Sequence, residues 1–139
     1  MSEISNIMTT EVVTVTPDTS IFDAIETLVA NNFTGLPVVD SQNQPIGVVT
    51  EKDLLRFIFK LEKHPSKTKN IKTVKDVMTR YVASFNVHEP LGSLYKCLMN
   101  GRFRRVPILS DGKVIGLVSR SDLITYMLSK YKAGVGASE

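Results

Sequence analysis

Cysteine, tryptophan and histidine are scarce in this chain: one Cys, no Trp and two His in 139 residues. With Cys97 alone, no internal disulfide can form. His64, His88 and Cys97 have no close partners at metal-ligand spacing, so no metal site is expected. No apolar run approaches the roughly 20 residues that span a bilayer. The opening "MSEISNIMTT" lacks the basic start and apolar stretch of a signal peptide. A cytoplasmic location without membrane attachment is the expectation. Gly47 and Gly116 sit in no G-x-G-x-x-G or P-loop pattern, and no acid–base constellation is visible. Catalysis is therefore not expected. Excess charge is small, a net +3, and much of it is local. It gathers in "KLEKHPSKTKNIK", Lys60 to Lys72, and in "RFRR", Arg102 to Arg105. That balance suits an anionic partner without naming one.

What is present is a soluble chain, 42% hydrophobic and 22% charged, with enough apolar side chain for a core. It is also a repeat. Sliding the sequence by 70 residues aligns Met8 with Met78, Thr9 with Thr79, Val12 with Val82, Leu28 with Leu98, Phe33 with Phe103 and Pro37 with Pro107. After a one-residue gap near Asn43 the offset is 69. It then aligns Ile46 with Ile115, Gly47 with Gly116, Val49 with Val118, Asp53 with Asp122 and Leu54 with Leu123. Two copies of a unit of about 55 residues account for the period.

Each copy follows one plan. "SNIM" and "KDVM" read as short helical turns. "EVVTVT" and "YVASFN" read as strands. Ile21, Ala24, Ile25, Leu28 and Val29 recur at helical spacing, with Ser20 or Thr19 as N-cap. Leu91, Leu94, Tyr95, Leu98 and Met99 match them in the second copy. "LPVVD" and "VPILS" are short buried strands; "SQNQ" and "SDGK" are turns, the second a hairpin-type Asp-Gly. "PIGVVT" and "VIGLVS" are the next strands, and "EKDLLRFIFKL" and "RSDLITYMLSKY" are closing amphipathic helices. A Lys-rich linker separates the copies, and the tail "KAGVGASE" reads as disordered. The fold class is mixed α+β: two β-α-β-β-α repeats, at residues 3–62 and 74–131 around a 63–73 linker. So small a unit buries little surface alone, so the repeats are expected to pack as one domain with pseudo-two-fold symmetry.

Both copies end their last strand with the same construction, "TEKD" and "SRSD". Thr50 and Ser119 are placed to cap the closing helix, with Asp53 and Asp122 completing a capping box. Capping prefers Glu at the third position, so Asp in both copies invites a second role. A helix N-terminus binds anions, a hydroxyl can add a hydrogen bond to phosphate, and a carboxylate can accept from a ribose diol, as in dinucleotide folds.

The paired motifs "GVVTEKD" and "GLVSRSD", the strands "GLPVVD" and "RVPIL", and the lead-in "IMTTEVVTVTPDTS" together resemble tandem cystathionine-β-synthase (CBS) domains, the pair that forms a Bateman module. The resemblance covers residues 3 to 130. It implies a regulatory module that binds AMP, ADP, ATP or S-adenosylmethionine in clefts between the repeats, with no required cofactor and no catalysis of its own. It also implies two residue sets. One joins Thr50 and Asp53 with Val82, Ala83, Arg104 and Arg105. The other joins Ser119, Ser121 and Asp122 with Thr10, Val12, Phe33, Thr34 and Gly35. In the first set an Arg stands at Arg104, where family members often carry His. Arg offers bidentate contacts to phosphate, whereas Thr34-Gly35 carries no charge, so the two sets should differ in preference.

Two other readings stay open: a nucleic-acid binder using the Lys/Arg clusters, and a ligand-free interaction module. The sequence shows no aromatic stacking platform, so nucleic acid is not the expected partner. Phe57, Ile58, Tyr126 and Met127 are surplus apolar residues, and the resemblance implies that a homodimer buries them. The regulated protein is not named by the sequence. Cys97 is off the apolar phase of its helix and reads as a bystander, and Phe33 and Phe103 as core or cleft wall.

Overall fold

A computed structural model describes residues 3–80, 83–100 and 104–138. The chain divides into two compact units. The first unit is residues 13–82, and the second joins residues 1–12 to 83–139. Each is a small sheet with helices, so the architecture is mixed α+β.

In the first unit, α2 (Ile21–Ala30) starts at Ser20, whose Oγ accepts from the Asp23 amide at 3.3 Å. Strands β1 (Gly35–Val39) and β2 (Pro45–Thr50) pair antiparallel, and α3 (Glu51–Lys63) follows without a break. Ile21, Ala24 and Leu28 from α2 meet Leu36, Val38 and Val49 from the sheet and Leu54 and Phe57 from α3. Phe57 is therefore core, not surplus surface, and the edge of the Phe22 ring packs on it at a 6.0 Å centroid distance. The helical phase explains this: Leu54, Phe57, Ile58 and Leu61 share the inward face.

The second unit repeats the plan with β3 (Phe85–Asn86), α4 (Leu91–Asn100), β4 (Arg105–Ser110), β5 (Lys113–Ser119) and α5 (Arg120–Ser138). Asp111 and Gly112, at φ 52° and 77°, make the two-residue β4–β5 turn. Arg120 Nε donates to the Leu98 carbonyl at 2.8 Å and so closes the end of α4. Leu94, Leu98, Val106, Ile108 and Val118 form the core. Cys97 packs against that core, contrary to its sequence phase, and burial pushes its thiol above the ordinary value. Helix α5 runs through Ser138, so the expected disordered tail is helical. Each residue added to a formed helix gains a backbone bond.

The first strands are much shorter than expected. Val15 makes only an isolated parallel bridge to Val38, and β3 has two residues. Proline supplies the reason. The Val15 amide donates to the Pro37 carbonyl at 3.0 Å, and the Val39 amide donates to the Val15 carbonyl at 2.9 Å. The next donor back along that edge would be the nitrogen of Pro37, which has no hydrogen. Pro107 holds the same place beside Phe85, next to Ile108 in the parallel register.

Each unit borrows the lead-in of the other copy's sequence. Helix α1 (Glu3–Ile7) buries Ile4 and Ile7 in the second unit, and Thr9 pairs with Leu117 on β5. The 3-10 turn Val74–Asp76 buries Val74 in the first unit, and Thr79 pairs with Val48 on β2. Close approach at these edges explains the repeated glycines. A Cβ at Gly47 would lie 2.6 Å from the Thr79 carbonyl oxygen, and one at Gly116 would lie 2.6 Å from Met8 Sδ.

Candidate functional site: two capped helix starts

The strand-to-helix junctions hold the T/S-x-x-D residues. At the start of α3 the cap is reciprocal. The Asp53 amide donates to Thr50 Oγ1 at 3.3 Å, and Asp53 Oδ2 accepts from the Thr50 amide at 2.9 Å. The Thr50 hydroxyl also donates to Oδ2, at 3.0 Å, so its single proton is already committed. Asp53 is buried, and its Oδ1 faces the Arg56 guanidinium at 3.7 Å.

The start of α5 is built alike but is less closed. The Ser119 amide donates to Asp122 Oδ2 at 2.8 Å, and the Asp122 amide donates to Ser119 Oγ at 3.1 Å. Among the described residues the Ser119 hydroxyl donates to nothing and Asp122 has no cationic partner. Position 125 is Thr, where α3 has Arg56. Ser121 is exposed, and its carbonyl accepts from Thr125 Oγ1 at 2.9 Å.

The residues ahead of the second strands stand beside these caps within each unit. Gly35 is directly across the ladder from Thr50, and the Thr34 carbonyl accepts from the Glu51 amide at 3.0 Å. Phe33 packs on the first unit's core. Arg105 is directly across from Ser119, and Arg104 precedes it on the exposed surface. Thr10 is exposed; Val12 and Ala83 are half-buried. Val82 and Phe103 lie outside the described residues. The first unit thus brings Thr34 and Gly35 to Thr50 and Asp53, and the second brings Arg105 to Ser119 and Asp122.

One motif of the same form was not singled out from the sequence. Thr73 and Asp76 make a third reciprocal box at the Val74–Asp76 turn. Asp76 Oδ2 accepts from the Lys72 amide at 3.0 Å and the Thr73 amide at 3.1 Å. These amides hold its carboxyl below the ordinary value. The "TVKD" spacing was the available signal. It shows that T-x-x-D serves capping on its own, and that a ligand role at Asp53 and Asp122 needs support beyond the pattern.

Comparison with known proteins defines the family. The CBS domain family matches residues 4–60 and 74–129, and the chain belongs to this family as a tandem pair. CBSX2, a chloroplastic CBS domain-containing protein of Arabidopsis thaliana, is 32% identical over 134 residues, which covers 79% of this chain and 56% of the relative. An uncharacterised protein of Methanocaldococcus jannaschii is 29% identical over 92% of this chain, which spans only 44% of that protein. The chain thus spans about half the length of these relatives. The crystal structure of CBSX2 in complex with AMP is similar at a TM-score of 0.80 and 31% identity, over 94% of this chain and 99% of that one. No helix among the described residues is long and apolar enough to cross a membrane.

Proposed function

We propose that this chain is a regulatory module that binds an adenosine-containing ligand, AMP, ADP, ATP or S-adenosylmethionine, and acts through a partner protein rather than by catalysis. The carrying observation is the pair of capped helix starts, each leaving one carboxylate oxygen outside its capping box, in a chain akin to a protein crystallised with AMP. Asp53 and Asp122 would accept from ribose hydroxyls through Oδ1. Thr50 and Ser119 would turn their hydroxyls to phosphate, with Arg104 and Arg105 supplying positive charge. The remaining residues of the two sets would line the base. The Thr50 proton must leave Asp53 to do this, whereas the Ser119 proton is uncommitted.

Calorimetric titration with AMP, adenosine and S-adenosylmethionine tests the reading. Wild type should bind at least one, and Asp53→Asn should weaken AMP about tenfold to a hundredfold, as loss of a charged-acceptor bond of about 1.5–3 kcal/mol requires. No heat with any of these ligands would overturn it. An Asp53→Asn variant that loses only stability would assign Asp53 to capping alone.

The proposal includes a homodimer formed through α5. Ile124, Met127, Leu128 and Tyr131 recur at spacings of three, one and three residues, an apolar stripe that is 68%, 47%, 51% and 72% exposed. Tyr126, by contrast, packs on the second unit's core, and its hydroxyl donates to Glu3 at 3.2 Å.

A further inference from the structure

Helix α3 carries a row of cations that its counterpart lacks. Lys52, Arg56, Lys60 and Lys63 follow at spacings of four, four and three residues, so they share one face, and all four are exposed. Lys67 extends the row onto the 3-10 turn Pro65–Thr68. Among the described residues, none of the four lysines has a carboxylate within ion-pair distance, and Arg56 meets only Asp53. The row is held in place. Thr68 is buried and its hydroxyl donates to the Pro65 carbonyl at 3.0 Å, while Ile71 packs on the core. Beside the row, Phe59 is 62% exposed, and Lys63 Nζ stands 5.9 Å from its ring centroid. The matching positions of α5 are Ser121, Thr125, Ser129 and Lys132, so the fold does not require the charge.

We propose that this face of α3 docks single-stranded nucleic acid by its phosphate backbone, with Phe59 as a stacking ring. A row of cations, about 6 Å apart per four residues of helix and without a carboxylate partner except at Arg56, complements a linear polyanion. Lysines act as point charges, which grip phosphate without reading sequence. An exposed ring beside a cationic track takes the face of any base. An anionic membrane fits less well, because the opposite face of α3 is buried in the core and the helix cannot sink into lipid. An acidic peptide would use the charge but leave the ring idle. Arg56 touches Asp53 of the adenosine reading, whereas Lys60, Lys63 and Phe59, which the test alters, belong to neither residue set of that reading.

The test is fluorescence anisotropy of the full chain with a labelled oligo-uridylate at several salt concentrations. Poly-glutamate and phosphatidylserine vesicles serve as competitors. For wild type, log affinity should fall linearly with log salt, by about 0.7 per phosphate neutralised. Lys60→Glu with Lys63→Glu should lower that slope by about 1.4 and weaken binding at least about tenfold. Lys60→Gln with Lys63→Gln repeats the test without charge reversal, and circular dichroism checks both folds. Phe59→Ala should weaken binding about fivefold or more and leave the slope unchanged. Lys132→Glu on α5 should change neither. The proposal is overturned if wild type does not bind the oligonucleotide, if the α3 variants bind it as wild type does, or if poly-glutamate or vesicles displace it at equal charge concentration.

Discussion

Helices α3 and α5 occupy the same place in their units, 69 residues apart, and start from the same kind of cap. Some inward positions agree: Leu54 with Leu123 and Phe57 with Tyr126 all pack on their unit's core. Their outward positions agree only in part: Leu55 with Ile124 and Phe59 with Leu128 are exposed apolar pairs. Arg56 and Lys60 correspond to Thr125 and Ser129, and Glu62 corresponds to exposed Tyr131. A cap fixes where a helix begins and an inward residue fixes how it seats, so a duplicated unit needs both in each copy. An outward residue answers only to solvent and to other molecules. The copies also part at two inward positions, where Ile58 and Leu61 correspond to exposed Met127 and Lys130, so α5 offers solvent a longer apolar stripe and α3 a cationic track.

The largest effect should follow from breaking the α5 stripe. In the proposed dimer, Leu128→Glu removes the further burial of a Leu that one chain leaves 51% exposed, about 1–1.5 kcal/mol, and adds the desolvation of a carboxylate. Light scattering should show wild-type dimer and variant monomer, whereas Phe59→Glu on α3 should leave the dimer intact. A wild type that stays monomeric at high concentration, or a dimer sensitive to Phe59 and not to Leu128, would reverse the assignment of faces.

The two edge glycines sharpen the comparison next. Gly47→Ala drives a Cβ toward the Thr79 backbone carbonyl, which cannot move without breaking its bonds to Val48. Gly116→Ala meets the Met8 side chain first, and a thioether can turn aside. Overpacking costs about 1–3 kcal/mol. Urea unfolding should put Gly47→Ala near the top of that range and Gly116→Ala near the bottom. Equal losses would mean that Met8 is as rigid as backbone.

The caps should differ more modestly. Asp53 accepts from both the amide and the hydroxyl of Thr50, whereas Asp122 accepts only from the Ser119 amide. Losing a cap costs about 1 kcal/mol. Asp53→Asn should lower the urea midpoint more than Asp122→Asn does. The opposite order would show that the Thr50 hydroxyl bond contributes little.

The repeat, the element order, the Asp-Gly hairpin and the capping role of Thr50 and Ser119 were all legible in the sequence, because each depends on residues close along the chain. Four features were not. The β-branched residues of "EVVTVT" and "YVASFN" predict full strands, whereas Pro37 and Pro107 cut the ladder short from the neighbouring strand. The prolines were visible; which strand they faced was not. The sequence of α3 does not tell how far its inward arc extends, and so leaves the burial of Phe57 open. Phase alone likewise sets Cys97 off the core that it packs against. The exposure of Phe59, on which the α3 docking surface depends, is a property of packing that composition could not supply.

The smallest expected effect concerns acid. Asp76 caps the borrowed lead-in of the first unit, and the equivalent residue in the second unit, 70 positions earlier, is Asn6. The Lys72 amide, then the Thr73 amide, lower the Asp76 pKa from 3.8. A carboxyl depressed by folding contributes stability above its unfolded pKa and loses it as pH falls through the folded value. The loss therefore belongs below about pH 4, and solvent screening of this exposed group keeps it small. Asn6 cannot titrate, so the second unit lacks this dependence. Hydrogen exchange locates the effect. The Met78 amide donates to the Val74 carbonyl at 2.8 Å and the Met8 amide to the Ile4 carbonyl at 3.0 Å, matching bonds in the two lead-ins. Between about pH 4 and pH 2.5, exchange corrected for intrinsic rate should speed up at Met78 more than at Met8. Asp76→Asn should give Met78 faster exchange at every pH and abolish the extra acid response. Equal acid responses at the two amides in wild type would remove Asp76 as the cause.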